Sequence, residues 1–329
     1  MIEKLKARFD KNELFVRIVA TYLNSYEKLV TREIIDEITG GDNRLSPSAF
    51  AAFLSSAFIE DDKLENEMEK EYFIPSVKEL SVSEYIENPY YKNIVIPSKK
   101  VGNWTLGRQK YVPYEGFIRD DYTVYPDFRE IPNIGYFKEE FSFPTVYENG
   151  VEWMAIKPNE IETMREPIAK AHGRVVAFGL GLGYFAYMAS LKDEVSSVTV
   201  VERDKNVIRL FCDEILPQFE HKEKIRIVKS DAFDFVNDEK NKDAFDYVFV
   251  DLWRDTSDGT DLYIKMKKLE NKMSAEFSYW IEPSILVGIR HKVFYAIYDN
   301  YKQGKIALTD EEIRSRLSFE YLKEFVKFI

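Results

Sequence analysis

A chain of 329 residues that is 45% hydrophobic and 15% aromatic can build a core and has the length of about two domains, which excludes a disordered protein. Its formal net charge of −11 speaks against a protein that coats nucleic acid, and it suits a small-molecule or cationic ligand better. A single cysteine, Cys212, excludes an internal disulfide, and His172, His221 and His291 are too scattered for a Cys/His metal site.

The start, "MIEKLKARFDKNELF", is charged throughout and lacks the apolar centre of a signal peptide. No apolar run reaches the ~20 residues needed to span a bilayer, so a soluble, cytoplasmic protein without a membrane partner is expected. Residues 1–90 read as a helical accessory region for packing or partner contact. "LFVRIVATYL" and "SAFAAFLSSAF" carry apolar residues at helical spacing, with a break at "TGGDNRLSP" and a serine cap in "LSPS".

Residues 91–157 change texture. "NIVIP", "WTLGRQKYV", "YTVYP", "YFKEEFSF" and "TVYENGVEWMAI" are aromatic and β-branched, cut by Pro and Gly, and predict a small antiparallel sheet. Asn149-Gly150 predicts a tight hairpin, because both residues tolerate positive φ. From 158 to 329 the chain alternates. A helix over "PNEIETMREPIAKAHG" precedes the strands "RVVAFG", "SVTVVE", "KIRIVKSD", "FDYVFVD" and "FSYWIE" with helices between them. This is the pattern of an α/β fold, a Rossmann-like, doubly wound, mostly parallel sheet in the order 3-2-1-4-5. "SILVGIRHKVFYAIYDNYK" and "EEIRSRLSFEYLKEFVKF" then predict two terminal helices rather than further strands.

The chemistry concentrates at one sheet edge. In "VVAFGLGLGYFAYMAS", Gly179, Gly181 and Gly183 follow a buried-looking strand directly, where glycine permits a sharp turn and close approach of a ligand. The spacing fails the dinucleotide fingerprint at Tyr184, which disfavours NAD and a dehydrogenase. Tyr184 itself either lines the pocket or packs against the sheet. Glu202 ends the second strand, where a carboxylate can accept both ribose hydroxyls. Asp231 ends the third and is placed either to accept from an adenine amine or to cap the next helix. Asp251 ends the fourth.

"VVAFGLGLGY", "VTVVERD", "RIVKSDAFDF" and "FDYVFVDLW" together resemble the class I S-adenosylmethionine-dependent methyltransferases. The layout of "YENGVEWMAIKPNEIETM" is similar to the spermidine synthase branch. The resemblance implies S-adenosylmethionine as cofactor, with Gly179, Leu180, Gly181, Gly183, Glu202, Arg203, Asp231 and Ala232 as its binding residues; a metal is not expected, since beside Asp251 no second and third ligand stand at recognisable positions. Two departures bear on the reaction. The synthases have an aspartate in the glycine loop where this chain has Leu182. They follow the fourth strand with Asp-Ser-Ser-Asp-Pro, where this chain has "DLWRD". Asp251 is kept, but Trp253 and Arg254 replace the second serine and the second aspartate. Methyl transfer to a small molecule, an amine among the candidates, is therefore preferred over aminopropyl transfer from decarboxylated S-adenosylmethionine. A non-catalytic interaction protein of the same fold is the third reading.

For the chemistry, Asp251 is the expected catalytic residue, orienting or deprotonating the acceptor. Trp253 is expected to stack on a flat or cationic acceptor. Asp255, with Asp258 and Asp261, forms either an acidic rim that selects an amine or a solvated loop with a helix cap. The expected partners are a small-molecule substrate and further copies of the chain, through the N-terminal region or the β-rich segment.

Overall fold

The computed structural model describes residues 2–25, 29–41 and 45–329. The chain divides into two compact units: residues 1–84, 110–142 and 291–314, and residues 85–109, 143–290 and 315–329.

The first unit opens with the helix Ile2–Asn24, whose buried positions Leu5, Phe9, Asn12, Phe15, Ile18, Val19 and Tyr22 recur at helical spacing. The predicted break is real where it can be seen. Gly40, at φ 65°, ends the helix Arg32–Thr39, and Ser46 accepts from the Ala49 N–H to start the helix Pro47–Phe58. Residues 42–44 of that break lie outside the described residues. The core gathers Phe15, Phe50, Leu54, Tyr72, Phe73, Ile131 and Tyr136, with the Phe50 and Tyr136 rings stacked at 4.7 Å.

The segment 91–157 does not form the single small sheet expected of it. Strands Phe117–Val124 and Glu130–Phe137 pair in the first unit, and Val77–Leu80 joins Glu130–Phe137 in parallel. Val77–Leu80 falls in the stretch read as helical. Every residue of Glu130–Phe137 is buried, so it takes a neighbour on each side. Aromatic and β-branched composition marks strands but does not name their partners.

Inside this unit Glu130 and Asn12 are fully buried and satisfied. Asn12 donates to the Phe128 carbonyl at 2.8 Å and accepts from the Tyr72 hydroxyl at 2.9 Å. His291 Nε2 lies 2.5 Å from Glu130 Oε2. His291 is thus a partner within a polar core network, consistent with its isolation in the sequence.

The second unit holds the α/β sheet. Its strands are β1 (Gly173–Phe178), β2 (Val195–Glu202), β3 (Ile225–Lys229), β4 (Tyr247–Val250) and β5 (Glu276–Tyr279). They run all parallel in the order β3-β2-β1-β4-β5. The central strand β1 and its neighbour β4 are apolar and buried, as strands covered on both faces must be. A second, antiparallel sheet runs in the order Lys99–Val101, Trp104–Tyr111, Phe141–Glu148, Val151–Ala155. Its last turn carries Asn149 at φ 51° and Gly150 at φ 81°, the two positive values a type I′ hairpin needs.

Three helices differ from the sequence reading. The one over 158–172 breaks at Met164 into Pro158–Thr163 and Arg165–Lys170. The one after β2 passes from α geometry at Lys205–Leu210 into a π turn at Phe211–Ile215. The last is cut where Ser318 caps Phe319–Phe325. Among the described residues no helix is long and apolar enough to cross a membrane.

Candidate functional site

In a parallel sheet the strand order reverses beside β1, and the crevice at the carboxyl ends opens there. A cavity of about 840 Å³, counting its open mouth, occupies that place. Gly179, Leu180 and Gly181 line it after β1, Glu202 and Arg203 after β2, and Asp231 and Ala232 after β3. Asp251, Trp253 and Arg254 line it after β4.

The glycine loop is set by the protein's own packing. Gly179, Gly181 and Gly183 have φ values of 96°, 50° and 74°. A Cβ on Gly179 would lie 1.9 Å from the Asp251 carbonyl oxygen, one on Gly181 2.7 Å from Met154 Sδ, and one on Gly183 2.3 Å from the Phe211 ring. These glycines therefore bring the loop against the end of β4, the hairpin and the helix that follows β2. Gly183 starts the helix Tyr184–Ser190 and does not line the cavity. The loop is also held from outside the sheet. The buried Tyr90 hydroxyl donates to the Leu182 carbonyl at 2.6 Å, and the Leu182 N–H donates to Met154 Sδ at 3.3 Å. Leu182 itself is fully buried. Tyr184 packs rather than lining the cavity, its hydroxyl accepting from Asn88 at 2.9 Å.

Glu202 reaches back to this loop. Its Oε1 accepts from the Asp204 N–H at 2.8 Å and its Oε2 from the Leu180 N–H at 3.3 Å. Burial raises its carboxyl above the usual range, against those N–H bonds. Asp231 caps the helix Ala232–Asn237, with Oδ1 accepting from the Phe233 and Asp234 N–H groups at 2.8 and 3.3 Å. Both of those bonds use Oδ1, which leaves Oδ2 for another donor. Asp251 is half-buried in the cavity wall, where desolvation, with Glu202 adding repulsion, pushes its carboxyl up to about 7.

Trp253 is 3% exposed, its ring lies against Gly259, and its indole N–H is buried without a partner. Asp255 does not line the cavity. Its side chain accepts from the Ser257 N–H at 2.8 Å and shares a capping box with Asp258 at the start of the helix Thr256–Lys267. Of its two readings, the structure shows the cap. Cap signals and acidic rims use the same residues, so spacing alone does not separate them.

Sequence reasoning missed half of the wall. Trp153 and Met154 come from the hairpin, Glu160 from the helix that follows, and Trp280 from the end of β5. Trp280 is fixed by its N–H to Thr163 Oγ1 at 2.9 Å. Glu160 is 5% exposed, and burial, with Asp251 adding repulsion, holds its carboxyl well above the usual range. Its signal was available: an acid two residues after Pro158, directly behind a predicted hairpin. Among the described residues no cluster of His, Cys, Asp and Glu has the arrangement of a metal site.

No family model and no curated protein matches this chain. Solved structures give partial, remote likenesses. A spermidine synthase from Thermotoga maritima is 16% identical over 45% of this chain and 55% of its own, with a TM-score of 0.32. A putative O-methyltransferase from Klebsiella pneumoniae is 15% identical over 28% of this chain and 40% of its own, with a TM-score of 0.23. A putative transferase from Pyrococcus horikoshii is 15% identical over 32% of this chain and 42% of its own, with a TM-score of 0.24. The chain thus spans about half the length of the synthase.

Proposed function

We propose that the crevice binds S-adenosylmethionine and that the protein transfers its methyl group to a small-molecule acceptor. The observation that carries this reading is Glu202. Its carboxylate ends β2, is locked by two backbone N–H groups, and lines the cavity beside the Gly179–Gly181 turn. Two fixed acceptor oxygens at that place suit the vicinal hydroxyls of a ribose. The donor set fits a nucleoside further on: among the described residues Asp231 Oδ2 has no donor, and Ala232 and Phe233 supply an apolar edge. The glycines support the fit through loop shape, not by clearing space, since protein atoms fill the place of each missing Cβ.

Bound there, S-adenosylmethionine would supply an electrophilic methyl group. The chain's part is to align the acceptor and manage its proton. Asp251, with a carboxyl near 7, is poised to take a proton from an acceptor at neutral pH. The buried Leu182 offers no charge to a cofactor's amine, which favours the carboxylated cofactor over its decarboxylated form. Assembly of copies through the N-terminal region or the β-rich segment remains part of this proposal.

The test is calorimetric titration with S-adenosylmethionine, decarboxylated S-adenosylmethionine and NAD. S-adenosylmethionine is expected to bind in the micromolar range, about −8 kcal/mol. Glu202→Ala is expected to weaken it about tenfold or more, in a protein that still melts cooperatively. Tighter binding of the decarboxylated form would place aminopropyl transfer first. Absence of binding by both would remove the reading and leave an interaction protein.

A further inference from the structure

Glu160 stands in the cavity wall 5% exposed, and among the described residues no donor meets its carboxylate. The cation next to it in sequence, Lys157, is committed to Glu152 at 2.6 Å. The first electrostatic neighbour of Glu160 is Asp251, whose repulsion comes ahead of the attraction of Lys157, and among the described residues Asp251 likewise accepts no side-chain hydrogen bond. A buried carboxylate beside a half-buried one, with no cation bonded to either among the described residues, is costly, and a ligand cation held by the pair offsets that cost. A third residue is also unsatisfied, the buried indole N–H of Trp253.

The rest of the cavity sorts by character. Trp153, Trp253, Trp280 and Leu262 give apolar walls. Arg203 is exposed at the rim and its guanidinium has no partner among the described residues, and Arg254 is half-exposed with its guanidinium 3.7 Å from Asp255. The site is therefore negative inside and positive at its mouth. A dication would bring its second charge toward an arginine. A monocation with an apolar body puts its charge on the acids and its body on the indoles.

Resting on the cofactor reading above, we infer that Glu160 and Asp251 together form the ammonium site of the acceptor, and that the acceptor is a monoamine with an apolar body. Burial holds both carboxyls high, with Glu202 and Glu152 adding to the negative field and Lys157 opposing it. The empty pair thus holds protons more readily than free carboxyls do, and an entering ammonium favours their release. The bound ammonium then gives one proton to Asp251, which becomes the neutral acid while the nitrogen regains its lone pair for attack.

Phenethylamine titrated into the full chain, with and without saturating S-adenosylhomocysteine, tests this at pH 7 in two buffers of different ionisation heat. Wild type is expected to bind the amine and release about one proton. Phenethyl alcohol and 1,4-diaminobutane are expected to bind about tenfold more weakly or worse. Glu160→Gln is expected to lose about tenfold or more for the amine while its affinity for S-adenosylhomocysteine changes less than about twofold. Equal binding of the alcohol or the diamine, no amine binding, or an unaltered Glu160→Gln would each overturn the inference, and the first three need no variant. Equal loss of S-adenosylhomocysteine in Glu160→Gln would instead assign Glu160 to the cofactor. Failure of the cofactor reading shows separately, as no S-adenosylhomocysteine binding by wild type.

Discussion

Gly179→Ala is expected to destabilise the second unit severely. Two costs combine there. At φ 96° an L side chain is strained by about 1–2 kcal/mol. The added Cβ would also sit 1.9 Å from the Asp251 backbone oxygen, and backbone at the end of a central strand has nowhere to go. Together they should exceed about 4 kcal/mol, a large part of the stability of an ordinary domain. Two further substitutions separate the costs. Gly304 has φ 68° and nothing within 4 Å of its would-be Cβ, so Gly304→Ala should show strain alone, about 1 kcal/mol. Gly181→Ala meets the Met154 sulfur at 2.7 Å, a flexible side-chain end, and should fall between them. Urea melts of the three variants should rank 304, 181, 179 in increasing loss. A mild Gly179→Ala would mean that β1 and β4 can part at their ends, and the crevice would be softer than described.

This ranking also shows what was legible in the sequence. Three glycines after an apolar strand marked the turn, and acids ending the next three strands marked one sheet edge. Their types and order were enough to bring Glu202, Asp231 and Asp251 to one cavity. The reason for the glycines was not legible, because their neighbours (the Asp251 carbonyl, Met154 and Phe211) are distant in sequence and carry no motif. The same limit explains Glu160, Trp153 and Trp280. Each lines the site from an element whose local pattern reports only a helix or a strand. It also explains Val77–Leu80, four residues too short to show a period, which became a strand because the buried Glu130–Phe137 needed a neighbour. Residues 85–93 read as part of a helical accessory region, or just past it, yet Tyr90 supports the glycine loop through its hydroxyl.

Asp251→Asn is expected to cost the protein its reaction while raising its stability above neutral pH. The carboxyl of Asp251 moves from the ordinary 3.8 to about 7 in the folded chain, chiefly through burial and then through Glu202. An acid raised on folding binds more protons folded than unfolded across that interval. Stability therefore falls as pH rises from about 4 to about 7 and is level beyond. A full shift of that size corresponds to a ceiling of about 4 kcal/mol. The cavity admits water, so about 2 kcal/mol is the expected gain for Asn at pH 8, with little difference near pH 4. Glu160 and Glu202 are raised in the same direction, and removing the Asp251 charge relieves both, which adds to the gain. Urea melts of wild type and Asp251→Asn at pH 4.5 and pH 8 measure it. If Asp251→Asn were the less stable protein at pH 8, the ionised carboxylate would be making a favourable contact in the folded chain. Asp251 would then be a structural anchor rather than a group held ready for an acceptor's proton. A stability gain that appears only above neutral pH, paired with loss of transfer, is the signature of a buried acid kept for chemistry, since nothing in the packing otherwise rewards a carboxylate at that place.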